Sequence, residues 1–232
     1  GSIYIEQKQY LKAFNSFNES LKIVRDLKLK TSEARILIGI GELYLRLDEL
    51  DLAMEYFDES LTICIANKIS KNNQIGTLFL KKAEIYFKKE QYQQAIQYLD
   101  QAIKEFINTN NSYSLSECYL LLAKANSKLL NKERALDYLE TSLAIYYEID
   151  NHSKITEALI LKSYLLLELE PLVAKNQAEE ILTRIKPETS NEIKADLYKL
   201  LYLCYKNNRQ PDKALIMVEQ HTIFKDSVQS EK

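Results

Sequence analysis

The feature that most limits what this chain can fold into is an alanine that returns at a nearly constant interval. Ala13, Ala53, Ala95, Ala135, Ala174 and Ala214 are spaced by 40, 42, 40, 39 and 40 residues. After each of the first four, an apolar residue stands four places on and a small one seven places on: Phe17 and Ser20, Phe57 and Ser60, Leu99 and Ala102, Leu139 and Ser142. Ala174 and Ala214 keep a weaker form, with Ala178 and Ile181, then Val218 and His221. Nine residues before the alanine stands Tyr4, Tyr44, Tyr86 or Tyr205, with Asn126 and Leu165 in the two remaining units. A period of this length marks one supersecondary unit repeated along the chain. A single unit of that size cannot bury its apolar face alone, so successive units must stack.

Apolar residues recur every three or four positions in both halves of each interval, which predicts two helices per unit. Ala34 to Leu47 reads as one helix with Thr31 or Ser32 as its N-cap, and Asp48 as the cap of a second, roughly Leu50 to Ala66. Pro211 fits the first turn of the final helix, and Lys186 to Asn191 separates the last two units. Only 4 glycines and 3 prolines occur in 232 residues, too few for a protein built on hairpins or glycine-lined phosphate loops. Gly41, Ala83 and Ala123, each twelve residues before an anchor alanine, are expected where paired helices approach closely.

Several functions are disfavoured by what the chain contains. Lys+Arg 31 against Asp+Glu 33 leaves a net charge of −2, without the basic excess that nucleic-acid binding needs. Its 16 tyrosines, at helical spacing and without a basic stripe, read as packing residues rather than stacking platforms for RNA. No uninterrupted apolar run of about 18 residues is present, so no membrane insertion by this segment is expected. Cys64, Cys118 and Cys204 form no CxxC and read as small core hydrophobes. The two histidines, His152 and His221, lie in a connection and on the last helix and read as surface residues. Without a phosphate loop, a nucleophile elbow or a metal-binding HExxH, the expectation is no enzyme, no cofactor and no metal site. Glu133, Asp137 and Glu140 read as a solvated helix face, as do Glu168 with Glu170 and Glu179 with Glu180.

The pattern resembles the tetratricopeptide repeat, most clearly in Leu37-Ile38-Gly39-Ile40-Gly41-Glu42-Leu43-Tyr44 followed by Ala53, Phe57 and Ser60, and again in Ala83, Tyr86, Ala95 and Ala102. This resemblance implies an all-α, tetratricopeptide-like right-handed α-α superhelix (solenoid) of about six helix pairs. The chain departs from the family in its longer period, in lacking the proline that usually closes a unit, and in Tyr202, which stands where a small residue is usual. The expected repeats are 1–30 (truncated), 31–70, 71–111, 112–151, 152–188 and 189–228, in a single array over 1–232, with a polar tail at 225–232 leading to a missing downstream region. The ending Phe224-Lys225-Asp226-Ser227 is similar to that of arrays in Bacteroidetes-type sensor histidine kinases and helix-turn-helix transcription regulators. That likeness implies a sensory or scaffolding part of a larger bacterial regulator, periplasmic or cytoplasmic and possibly membrane-tethered.

In this family the first helix of each unit lines a concave groove. Carried over by helical phase, the groove-lining residues are Arg35, Ile38, Glu42, Leu45 and Arg46, then Leu80, Glu84, Phe87 and Lys88, then Leu120, Lys124, Ser127 and Lys128. Later units add Ile160, Tyr164 and Leu167, then Lys199, Leu203 and Lys206. Apolar anchors with mixed charge suit an extended peptide or an amphipathic helix. The alternative for the apolar members is that they close the stack against itself. Glu42 and Glu84 stand where the family's carboxylate clamp would need asparagine, and a carboxylate there repels a ligand's carboxylate. The expected function is a non-catalytic protein- or peptide-binding module. The alternative is a structural scaffold that self-associates, as a homodimer, through an apolar face left exposed at the N-terminal end.

Overall fold

The computed structural model describes residues 1–6, 9–69 and 73–230. The expected repeat boundary at 70 and the last two residues of the expected tail lie outside that set. Among the described residues the chain is all-α, with twelve helices and no strand. They are α1 (Ser2–Glu6), α2 (Tyr10–Asp26), α3 (Lys30–Arg46), α4 (Leu50–Ala66), α5 (Gln74–Lys88), α6 (Tyr92–Asn108), α7 (Ser112–Lys128), α8 (Lys132–Glu148), α9 (His152–Leu166), α10 (Pro171–Arg184), α11 (Asn191–Asn207) and α12 (Pro211–Ser230). Odd-numbered helices open each pair, and the anchor alanines sit on the even-numbered ones. Two compact units are formed, Gly1–Ala125 and Asn126–Lys232, with the division inside α7.

The turns explain how so regular a stack forms with almost no glycine. Eight of them pass through one left-handed residue that is not glycine: Lys28, Asp48, Lys68, Glu90, Asn110, Leu130, Asp150 and Arg209. In each, the next residue's N–H donates to a carbonyl five residues back, as from Glu49 to Tyr44 (2.9 Å), Gln91 to Tyr86 (2.8 Å) and Asn131 to Asn126 (2.9 Å). This Schellman closure satisfies carbonyls the helix end would leave bare. It also corrects two expected caps. Asp48 is not the cap of α4; it is the left-handed residue that ends α3, and Glu49 precedes α4 with no side-chain cap bond. Likewise α3 starts at Lys30 behind Leu29, ahead of Thr31 and Ser32, because the turn at Lys28 launches it directly. Side-chain caps do appear elsewhere: Ser190, after a different turn, accepts from the Ile193 N–H, and Asn151, after the left-handed Asp150, accepts from that of Lys154.

The cores are rungs shared between neighbouring pairs. In the first unit Ala13, Phe17 and Leu21 of α2 pack with Leu37, Ile40 and Leu43 of α3. Ala53, Phe57 and Cys64 of α4 pack with Ala34 and Ile38 of α3 and with Leu78 and Ile85 of α5. The second unit gathers Ala174, Ala178 and Ile181 of α10 with Ile160 of α9, Leu197, Leu201 and Cys204 of α11, and Ala214 of α12. Close approach occurs where expected, but the ring four residues after the anchor fills it. A Cβ on Gly41 would lie 2.4 Å from the Phe57 ring, and one on Gly39 2.6 Å from that of Phe17. All three cysteines are free and buried. Among the described residues no helix is long and apolar enough to cross a membrane.

Candidate functional site

The candidate groove residues fall in both units. In the first, they lie on α3, α5 and the front of α7. Ile38, Leu45, Leu80 and Leu120 are buried, with exposures of 7, 8, 4 and 3%. Their apolar surface is therefore already covered, and they serve this face as backing. What the face offers to solvent is charge. Arg35, Arg46 and Lys88 are exposed, while Glu42, Glu84, Lys124 and Phe87 are half-buried. Lys88 reaches Asp48 at 2.7 Å, and Phe87 meets Tyr92 edge-on at 5.4 Å.

Glu42 and Glu84 are brought together by a residue that the sequence reading missed. Lys81 Nζ lies 3.0 Å from Glu84 Oε1 and 3.8 Å from Glu42 Oε1, so one ammonium bridges α3 and α5 between two carboxylates. Its second bond to Glu84, at Oε2, is 3.2 Å. Burial pushes the Lys81 ammonium toward neutrality, but the carboxylates of Glu84 and Glu42 outweigh it and raise its pKa. Glu42 is less well served. Burial raises its carboxyl above the usual range, Lys81 opposes the shift, and Glu84 adds to it. In the repeat register Lys81 occupies the place of Gly39, a core position in the preceding unit, and for that reason the helical phase of the groove did not include it. The i,i+3 spacing from Lys81 to Glu84 was the available signal.

Within the second unit the candidates are placed differently. Ile160 is buried at 4% exposure, and Ser127, Leu167 and Leu203 are half-buried. Tyr164 is half-buried; its hydroxyl donates to the Asp196 carbonyl at 3.0 Å, tying α9 to α11, and burial pushes its pKa up. Lys128, Lys199 and Lys206 are exposed, the last with Nζ 5.8 Å from the Tyr202 ring centre. No cluster like Glu42–Lys81–Glu84 gathers these residues.

The remaining polar candidates have local roles. His152 is exposed beside Asp150 at 3.5 Å, and half-buried His221 contacts the Ala195 carbonyl through Nδ1 at 2.9 Å. Glu179, expected as a solvated face, accepts from the Tyr205 hydroxyl at 2.8 Å, because α10 turns that residue toward α11. Glu140 pairs with Lys162 at 3.1 Å, Glu180 with Arg184 at 2.5 Å, and Glu168 with Lys132. Among the described residues no three His, Cys, Asp or Glu side chains are gathered so as to hold a metal ion.

The sequence model of the tetratricopeptide repeat matches residues 1–66 and 74–148. A "Tetratricopeptide repeat protein 23-like" from Bos taurus is 29% identical over 136 residues, covering 54% of this chain and 43% of its own length. The chain thus spans less than half of that relative. Among solved structures, the STAND (signal transduction ATPase with numerous domains) protein PH0952 from Pyrococcus horikoshii, which has a tetratricopeptide repeat sensor, superposes with a TM-score of 0.76. It is 18% identical, over 98% of this chain and 36% of that one. The Rap conjugation gene regulator of plasmid pLS20, solved with the Phr* peptide, gives a TM-score of 0.71 at 11% identity, over 84% of this chain and 54% of that one.

Proposed function

Because the chain belongs to the tetratricopeptide repeat family, we propose that it is a protein- or peptide-binding module whose working face in the first unit is the one carried by α3, α5 and α7. The observation that carries this reading is the Glu42–Lys81–Glu84 cluster. It is half-open to solvent, set over buried apolar residues and flanked by exposed Arg35 and Arg46. Lys81 bonds closely to Glu84 and only at 3.8 Å to Glu42, which leaves Glu42 able to take a cationic group from a partner. A peptide carrying Lys or Arg, laid across the two helices, relieves the burial cost at Glu42; a free C-terminal carboxylate is repelled there.

This module acts as the sensory or scaffolding part of a larger bacterial signalling or transcription regulator. Support comes from the Phe224–Ser227 motif and from the proteins that share the fold, one with a tetratricopeptide repeat sensor and one a gene regulator solved with a peptide. Binding on the face shifts the helix pairs, and α12 relays the shift to an output segment. A self-associating scaffold is the second reading, favoured by exposed Ile3 and Leu11 (68% and 75%) on α1 and α2.

Peptides selected for binding to the chain test the first reading. Selected peptides are expected to be enriched in Lys or Arg, and Glu42→Lys with Glu84→Lys should weaken them at least tenfold. Affinity unchanged in the double variant rejects it. Concentration-dependent light scattering that gives a tight dimer, dissociated by Leu11→Glu, supports the second.

A further inference from the structure

The second unit contains a cavity of about 640 Å³, within the 300–1,000 Å³ typical of ligand pockets, lined by α8, α9, α10 and the connections that follow α8 and α10. Its origin lies in the sequence. The helices α2, α4, α6 and α8 each run 17 residues and end thirteen residues after their anchor alanine. Helix α10 runs 14 residues and ends ten after Ala174. Pro187 disfavours a helical Lys186, Ile185 is already extended with ψ 140°, and the last turn of the helix is missing. The α8–α9 and α10–α11 connections then stand apart where the other units close a turn.

The chemistry of the walls narrows what can fill the gap. Ile155, Leu159, Ile181 and Ile185 give it an apolar interior, beside the half-exposed ring of Tyr147. The charged lining residues balance, Arg184 and Lys186 against Asp150 and Glu188, and Arg184 is further engaged by Glu180 at 2.5 Å. Neither sign is in excess, so the lining as a whole does not select a ligand by charge. The hydroxyls of Thr156 and Thr189 line the same cavity: Thr156 donates its proton to the His152 carbonyl at 2.9 Å and keeps acceptor capacity, while Thr189 accepts from the Lys186 N–H at 3.1 Å and keeps its donor, a complement to the N–H and C=O of a peptide amide.

We propose that this cavity is a second recognition site, separate in its residues from the α3–α5–α7 face, and that it takes two adjacent bulky apolar side chains of an uncharged polypeptide segment, in place of the turn that α10 lacks. The protein contains no tryptophan, so indole emission reports such a ligand alone. Titrating the whole chain into N-acetyl-Leu-Trp-amide should give a saturable blue shift. Thr156→Tyr and Thr189→Tyr, which narrow the cavity from opposite walls, should each raise the dissociation constant at least tenfold with helicity retained. Replacing the ligand's Leu by Ala should weaken binding about fivefold, and replacing it by Asp or by Lys should weaken it more, whichever the sign. Absence of a saturable shift overturns the proposal. So does binding indifferent to the ligand's Leu, or a charged analogue that binds tighter than the neutral one, which would indicate a small ionic ligand instead. Glu42→Lys leaves this titration unchanged, so its outcome is independent of the α3–α5–α7 reading.

Discussion

Helices α3 to α6 and helices α9 to α11 are built from the same repeat, yet they differ in how strictly they keep it. In the first group every turn is closed through a left-handed residue, and rings seat into glycine-sized gaps, as with Gly41 under Phe57. Around α10 both closures are lost. At Leu169-Glu170-Pro171 no residue takes the left-handed conformation, and the Glu170 N–H donates to Leu166 at 2.7 Å instead. At the other end Pro187 stops the helix a turn early. The large side chain after the anchor is gone too, since Ala178 stands where Phe17, Phe57, Leu99 and Leu139 stand elsewhere. Departure from the repeat has a structural consequence: the regular region presents a filled face decorated with charge, whereas the interrupted one leaves a hollow.

The sharpest way to break this comparison is to remove an anchor ring. Phe57 is fully buried, so Phe57→Ala should cost about 3–5 kcal/mol in denaturant unfolding, whereas Val218→Ala, at the matching half-buried position of α12, should cost under about 1.5 kcal/mol. Equal losses would mean that the anchor position in α4 is packed no more tightly than its counterpart in α12. A buried carboxylate comes next. Glu33, 4% exposed, accepts from Lys30 at 2.8 Å and Arg25 at 2.9 Å. The bond from Lys30 lowers its pKa most, opposed by burial and helped by Arg25. A carboxyl held below its unfolded value stabilises above the ordinary carboxylate pKa, and that contribution disappears as the pH falls through the lowered one. Glu33→Gln should therefore cost about 1.5–3 kcal/mol at pH 7 and progressively less as the pH falls below the ordinary carboxylate range, read from urea unfolding across that range. Next, Gly41→Ala should destabilise by about 1–2 kcal/mol, the ring clash at 2.4 Å outweighing the better helix propensity.

The smallest effect has opposite signs in a turn that keeps the left-handed closure and in one that has lost it. Leu130 is 80% exposed and held at φ 62°, a strained conformation for leucine. Leu130→Gly should stabilise by about 1 kcal/mol, while Leu169→Gly, in a turn that does not use that conformation, should destabilise by up to about 1 kcal/mol. Thermal melting of the two variants measures both.

Much of this was legible in the sequence. The alanine interval announced the helix pairs, and the heptad-like spacing placed α3, α4 and α12 to within a few residues. The caps were misread because hydroxyls near a helix start suggest side-chain capping, while a left-handed Lys28 or Asp48 leaves no compositional mark without glycine. The exposed and buried members of the candidate face were not separable from helical phase alone. Ile38 and Leu80 lie on the same stripe as Glu42 and Glu84, and only the packing of α3 against α5 decides which are covered. Lys81 takes a register position that is core in the preceding unit, so helical phase leaves it out, and only its i,i+3 spacing to Glu84 marks it.

The direct test of the central claim, that the first unit binds polypeptide on the α3–α5–α7 face, is the structure of a selected peptide in complex with the whole chain. The account predicts a basic side chain of the peptide within hydrogen-bonding distance of Glu42, with the backbone crossing α3 and α5. A peptide seated elsewhere, with Glu42, Lys81 and Glu84 arranged as in the unbound chain, would contradict it.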